Sequence, residues 1–246
     1  MSIKSHEFLG PVPAEMFIQN PVAALTAFMG REISFQDALR LLSLLKLQVL
    51  TLDIDDCMVD TNGASENIAA TFGETLDYSD FHYINRCTPA CAQAISDFLF
   101  VGDASCDPKR VKLTSDLVPY YMKILSLLFT VYYVTARASD KFEPTIRYFE
   151  HYKIPISRNN LITLGSSADK LDVIIKLKSV FHMDDSATTI LKCLEKNLNF
   201  CMISNRKTGY NMHLREAVGS RWANNIDELW QRRLEFIPMP QQGLIK

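Results

Sequence analysis

The chain has 246 residues, a formal net charge of −2 at pH 7, 48% hydrophobic residues and 22% charged ones. That length suits one large domain, or a core with a smaller insertion, and the composition is that of an ordinary globular protein. The slight negative charge argues against an electrostatic nucleic-acid binder, which would carry a basic face. The six cysteines (57, 87, 91, 106, 193 and 201) make no zinc-ribbon pairing, and Cys87-x-x-x-Cys91 stands alone. At this density they read as free thiols, not as a disulfide framework. No signal peptide is recognisable before Pro11 and Pro13, and no apolar stretch approaches the roughly 20 residues of a membrane span. A cytoplasmic location is the default expectation.

In chain order, residues 1–46 read as a helical extension. Apolar residues at Met16, Phe17, Val22, Leu25 and Phe28 give a partial helical pattern interrupted at Asn20-Pro21. Ser34, with Asp37 three residues on, starts a clearer helix to Lys46 with Ala38, Leu41, Leu42 and Leu45 on one face. Packing of this extension against the core is the expected role. The apolar run Leu47 to Leu52 then ends in Asp53-Ile54-Asp55-Asp56. Such a run reads as a strand buried on both faces of a parallel sheet. At its carboxyl end Asp53 and Asp55, two apart, point into one space. Two carboxylates held that close repel unless a cation lies between them, so the pair invites a divalent metal, an acid and a base, or both.

Residues 61–115 read as a mostly helical insertion, with helical spacing over Ala64 to Phe72 and Pro89 to Phe98 and a loop at Gly102, Asp103 and Asp107-Pro108. Aromatic residues are dense there. Phe72 and Phe98 suit helical faces and are expected in the insertion's core, whereas Phe81 and Tyr83 follow a turn-like stretch and are the candidates to face a ligand. From Ser115 onward helix and strand alternate. Strands are expected at Phe129–Val134, Leu161–Leu164, Ser179–Met183 and Phe200–Ser204, with helices between them and a last one at Asn225–Arg233. Alternation of this kind implies right-handed crossovers and a three-layer α/β fold with a Rossmann-like parallel sheet. Residues 47–60 and 116–246 are thus the core.

Three of the strand ends carry polar groups: Asp53 and Asp55, Thr135, and Asp184 with Asp185. Lys170 opens the helix before the last of these; Lys176 and Lys178 lie nearer Asp184 in sequence but toward that helix's far end. In a doubly wound sheet such groups lie along one edge, where these folds bind ligands. The set matches what phosphoryl transfer needs: a carboxylate nucleophile, a second carboxyl to handle the proton, Mg2+ to offset charge, and a hydroxyl and an ammonium for the non-bridging oxygens.

The order of these groups resembles the haloacid dehalogenase-like phosphohydrolases. Leu52-Asp53-Ile54-Asp55-Asp56-Cys57-Met58-Val59-Asp60 resembles their first motif, Val134-Thr135-Ala136-Arg137 the second, Lys170 the third, and Phe181-His182-Met183-Asp184-Asp185-Ser186 the fourth. The match spans roughly residues 47–230, and the insertion sits where the family carries its C1 cap. Cys57 and Met58 depart from the usual residues without removing a catalytic group. The resemblance implies Asp53 as nucleophile and Asp55 as general acid/base with its backbone carbonyl toward Mg2+. It implies Thr135, Ala136 and Lys170 at the phosphate, Asp184 as a direct metal ligand, Asp185 as a direct or water-bridged one, and Arg137 near the substrate. The tail, Tyr210-Asn211 and Arg221-Trp222, is similar to the 5′(3′)-deoxyribonucleotidase branch, which implies a nucleoside monophosphate as substrate; composition separately speaks against a membrane partner and disfavours a nucleic-acid one, and a homo-oligomer is left open. The rivals are a phosphatase of another small phosphomonoester or of a nucleic-acid 3′-phosphate, and a catalytically idle scaffold of the same fold. A phospho-accepting receiver domain fits poorly, because here the second acidic pair follows the lysine.

Overall fold

In the computed structural model, which describes residues 21–77, 83–204 and 211–240, the strand that ends in the first acidic cluster lies mid-sheet. Among the described residues the strands are β1 (Val49–Leu52), β2 (Thr130–Thr135), β3 (Leu161–Thr163), β4 (Phe181–Asp184), β5 (Phe200–Ile203) and β6 (Trp222–Ala223). They form one parallel sheet in the order β3-β2-β1-β4-β5-β6. The chain builds outward from β1 to β3 and then returns to its other side at β4. That reversal makes the carboxyl ends of β1 and β4 the topological switch point, where open α/β sheets bind their ligands.

The helices are α1 (Pro21–Met29), α2 (Phe35–Leu45), α3 (Thr61–Thr71), α4 (Pro89–Phe100), α5 (Val118–Leu128), α6 (Phe142–His151), α7 (Lys170–Lys176), α8 (Ala187–Glu195), α9 (Arg215–Val218), α10 (Ile226–Gln231) and α11 (Arg233–Phe236). Strand β5 shows how the layers arise. Its Phe200 and Met202 face a cluster with Ile174, Ile190, Cys193 and Val218, while Cys201 and Ile203 face the larger core. Alternation at period two with both faces apolar needs helices on both sides, hence three layers.

Helix α2 begins where the sequence predicts, with the Ser34 hydroxyl accepting from the Asp37 N–H at 3.2 Å. Strand β1 is shorter than its apolar run, because Leu47 is 80% exposed in the turn before it. The edge strand β6 was not expected, since two residues carry no periodicity. Phe98 is buried as expected; Phe72, expected in the cap core, is 44% exposed just past the end of α3. The insertion leaves and rejoins the core along paired segments. Val59 bridges Leu113 in antiparallel fashion, the Asp60 N–H donates to Lys112 O at 2.8 Å, and the Thr114 N–H donates to Met58 O at 2.9 Å. Asp60 also caps α3, accepting from the Gly63 N–H at 2.9 Å; a Cβ at Gly63 would meet the same carboxylate at 2.0 Å.

The described part of the N-terminal extension packs on the core. Phe28 is fully buried with its ring 5.4 Å from Phe129 and 6.2 Å from Trp230. Arg233 donates to the carbonyls of Phe28 (2.6 Å) and Ala27 (2.9 Å), ending α1 with a cation at its negative pole. Phe28→Ala should therefore cost about 3–5 kcal/mol in urea unfolding, and a loss under about 1 kcal/mol would mean that the extension is not part of the cooperative core.

Candidate active site

Lys170 is the residue on which the site converges. It opens α7, is 2% exposed, and its Nζ lies 2.8 Å from Asp53 Oδ1 and 3.1 Å from Asp184 Oδ2. Lys176 and Lys178, farther along the same segment, are exposed. Burial would lower the Lys170 ammonium, but the charges of Asp184 and Asp53 outweigh it and hold the group well above its ordinary value. Asp184 is saturated: Oδ2 also faces His182 Nε2 at 3.0 Å, and Oδ1 accepts the Ser186 N–H at 2.7 Å. Burial alone would raise its carboxyl; Lys170 and His182 reverse this and hold it well below the carboxylate range. His182 is wholly buried. Because a carboxylate only accepts, Nε2 carries a proton, and Nδ1 lies 3.0 Å from the Thr51 hydroxyl and 3.1 Å from the Thr51 carbonyl.

Asp55 is held from the opposite side. Arg137 Nε donates to its Oδ2 at 2.9 Å and Nη2 to its Oδ1 at 2.7 Å, a bidentate pair, and the Thr61 hydroxyl donates to Oδ1 at 2.6 Å. Burial works to raise the Asp55 carboxyl, but Arg137 and Thr61 overcome it and hold it below the usual range. The other guanidinium nitrogen, Nη1, meets Cys106 Sγ at 2.9 Å and Thr145 Oγ1 at 3.0 Å. This corrects the expectation that Arg137 faces substrate: its donors are spent on Asp55 and on the loop and helix behind it. Thr135, at the end of β2, is buried with its hydroxyl 3.4 Å from Asp55 Oδ2, and Ala136 next to it is exposed at the sheet edge.

The remaining acidic groups bear on a metal. Asp53, Cys57 and Asp185 each place one ligand atom within 4.8 Å of the other two. Burial, then Lys170 and the neighbouring carboxylates, set the Asp53 carboxyl, with the net effect of raising it to about 8. Its Oδ1 pairs in charge with Lys170 but makes no hydrogen bond of good geometry. Asp185 is pushed well up by burial and by Asp56, Asp53 and Asp184. Two carboxyls driven up together are the donor set a hard dication satisfies, and they fit Mg2+ with its preference for oxygen. The Cys57 thiol, raised well above its ordinary value by burial first and then by the same carboxylates, stays protonated and is not a donor for a hard ion. The geometry brings Asp185 within 4.8 Å of Asp53, while Asp184 faces Asp53 across the Lys170 ammonium. The Asp55 side chain is turned to Arg137 and away from the group of Asp53, Cys57 and Asp185.

No protein-family model and no curated protein matches the sequence. Among solved structures, a haloacid dehalogenase-like family hydrolase from Streptococcus pneumoniae superposes with a TM-score of 0.52 at 12% identity, over 76% of this chain and 98% of that one. The fold is haloacid dehalogenase-like. Two hydrolases, from Pseudomonas syringae (12% identity, 78% and 100% of the two chains) and from Deinococcus radiodurans (10%, 80% and 99%), the latter solved with phosphate and sodium bound, reach TM-scores of 0.49 and add nothing to the fold argument.

The structure of the insertion bears on the two aromatic candidates. Phe81 lies outside the described residues. Tyr83 starts a short 3-10 turn, is 8% exposed, packs with Ala69, Leu76, Cys91 and Ile95, and donates to Asn62 Oδ1 at 3.3 Å. Among the described residues its ring belongs to the insertion's buried cluster and is not presented for stacking, contrary to the expectation that it faces a ligand. Sequence reasoning missed His182, Thr61, and Arg137 as the partner of Asp55. His182 carried a usable signal, since it lies two residues before Asp184 on one strand and so shares its face. Thr61 and Arg137 had none, because their pairing with Asp55 spans the cap hinge and two strands.

These shifts set a pH dependence. A carboxyl raised on folding costs stability as pH climbs from its unfolded to its folded value. Without divalent cations the protein should therefore lose stability in urea between roughly pH 4 and about 8, the value of Asp53. Asp55 and Asp184, held low, act below that window, and their contribution fades as the medium turns more acidic. Asp53→Asn, or saturating Mg2+, should flatten the decline; a metal-free parent whose stability rises across the window would contradict the assignment.

Proposed function

We propose that this protein is a Mg2+-dependent phosphomonoesterase acting through an aspartyl-phosphate on Asp53. The observation that carries the reading is the buried Asp53 at the end of β1, in ion contact with Lys170 and sharing a cation-sized space with Asp185. When bound there, Mg2+ would neutralise the carboxylates and the substrate phosphate together. Lys170 keeps Asp53 oriented and adds positive charge at the phosphoryl oxygens; Thr135 and the backbone at Ala136 line the same edge. Asp53 attacks phosphorus and the bond to the ester oxygen breaks; water then attacks the aspartyl-phosphate, releasing phosphate and restoring Asp53. Asp55 fits best as the base for that water, because Arg137 holds it ionised. Protonating the leaving oxygen requires an Asp55 that has taken up a proton against Arg137.

Within phosphomonoesters a nucleoside monophosphate is our candidate substrate, on the tail resemblance at Asn211 and Arg221-Trp222. Asn211 is buried and its Nδ2 donates to the Asp185 carbonyl, which ties the tail to the acidic edge. A cytoplasmic location is part of the same proposal; no described helix is long and apolar enough to cross a membrane.

Hydrolysis of p-nitrophenyl phosphate should disappear in EDTA, return with Mg2+, and be abolished in Asp53→Asn. Asp55→Asn should slow turnover by roughly 10²–10⁴-fold, with a deoxynucleoside monophosphate more affected than the p-nitrophenyl ester. Full activity in EDTA would remove the metal. No turnover of any phosphomonoester would leave the fold as a binding scaffold, and a nucleotide no better than a sugar phosphate would remove the nucleotidase reading alone.

A further inference from the structure

A second group of metal-ligating side chains lies in the cap, outside the site described above. Glu74 follows α3, in a turn where Gly73 takes a left-handed φ of 73° and the Glu74 N–H donates to Ala69 O at 3.0 Å. Cys87 and Cys91 flank the start of α4, on either side of its N-cap Thr88. One carboxylate oxygen and the two sulfurs all lie within 4.8 Å of one another. The Thr88 N–H donates to Glu74 Oε2 at 3.1 Å and its hydroxyl donates to Oε1, so the carboxylate is aimed before anything binds. Cys91 is fully buried and Cys87 half-buried, and the Cys87 thiol leans on the Tyr83 carbonyl at 3.8 Å.

We propose that Glu74, Cys87 and Cys91 form a site for a thiophilic divalent cation, zinc by its chemistry, which staples the turn after α3 to the start of α4. Two thiolates and a carboxylate are a soft, anionic donor set that suits Zn2+ and not the oxygen-preferring Mg2+ of the catalytic edge. A tetrahedral ion bound at about 2.3 Å to each sulfur spaces the sulfurs by about 3.8 Å, so an inward adjustment of at most about 1 Å closes the set. Water fills the fourth position. The donors from Thr88 supply the outer-shell orientation that such sites use. The cap has reason to need a staple: its own buried cluster comprises Ala69, Leu76, Tyr83, Cys91 and Ile95 among the described residues, a small core for a unit carried on a two-stranded hinge. The proposal is independent of the phosphatase reading.

The test uses the full chain, reduced and freed of metal with a chelator, then titrated with Co2+ as the spectroscopic probe and with Zn2+ in competition. A thiolate-to-cobalt charge-transfer band that Zn2+ bleaches at one equivalent is expected. Cys87→Ser and Cys91→Ser should each weaken Zn2+ binding at least tenfold and reduce the band, whereas Asp185→Asn and Cys57→Ser should leave it intact. Glu74→Gln lies outside the cap core and guards against misfolding of the cysteine variants. It should keep the two-thiolate band while weakening Zn2+ by about 10–100-fold. Absence of the band, its survival in both cysteine variants, its loss in Cys57→Ser, or conversion of Cys87 and Cys91 to a disulfide with no metal uptake by the freshly reduced protein would each overturn the site.

Discussion

One buried ammonium between two buried carboxylates governs this structure. Lys170 joins α7 to Asp53 at the end of β1 and to Asp184 at the end of β4. A charge out of water is tolerated only where it is paired, and removing the partner of Lys170 or Asp184 leaves an uncompensated charge in a low-dielectric interior. The rest of the edge follows from that arithmetic. Lys170 satisfies Asp184 together with His182 and Ser186, which locks the end of β4. It does not fully satisfy Asp53, whose neighbours include Asp185. Asp53 and Asp185, both pushed toward their neutral forms, are the carboxyls that a dication would allow to ionise.

Asp55 shows the complementary solution. It stands two residues from Asp53 and would add to the repulsion, yet Arg137 and Thr61 draw it into a separate pair. The two carboxylates of the first motif therefore have opposite environments on one strand end, one pushed toward its neutral form and one held ionised. Environments that split like carboxyls in this way are how one site assigns a nucleophile and a proton carrier. Thr61 belongs to the first turn of α3, just past the hinge, and Arg137 reaches Cys106 where the insertion returns. The setting of Asp55 is thus tied to how the insertion sits on the core.

Much of this was legible from residues alone. The parallel sheet followed from apolar runs bounded by polar ends, and the start of α2 from Ser34 and Asp37, because these signals are local: side-chain period, burial on two faces, one capping bond. The candidate edge was legible for the same reason, since acidic pairs directly after buried strands can only emerge at a carboxyl end. Lys170 was separable from Lys176 and Lys178 because a residue at a helix start faces the strand ends and one at the far end does not.

Partnership was not legible. Sequence by itself determined which chemical groups reach the sheet edge, through strand alternation and the position of each helix start. Tertiary structure alone decided that Arg137 pairs with Asp55, that Asp53 meets Asp185 on one side and Lys170 with Asp184 on the other, and that Tyr83 joins the insertion's buried cluster. Each of those outcomes is a choice among several charged or aromatic groups within reach, settled by distances between segments 14 to 132 positions apart, where no local propensity acts. The physical reason is that burial and pairing energies depend on what surrounds a group on every side, and that surrounding exists only once the sheet, its helices and the cap have closed around it.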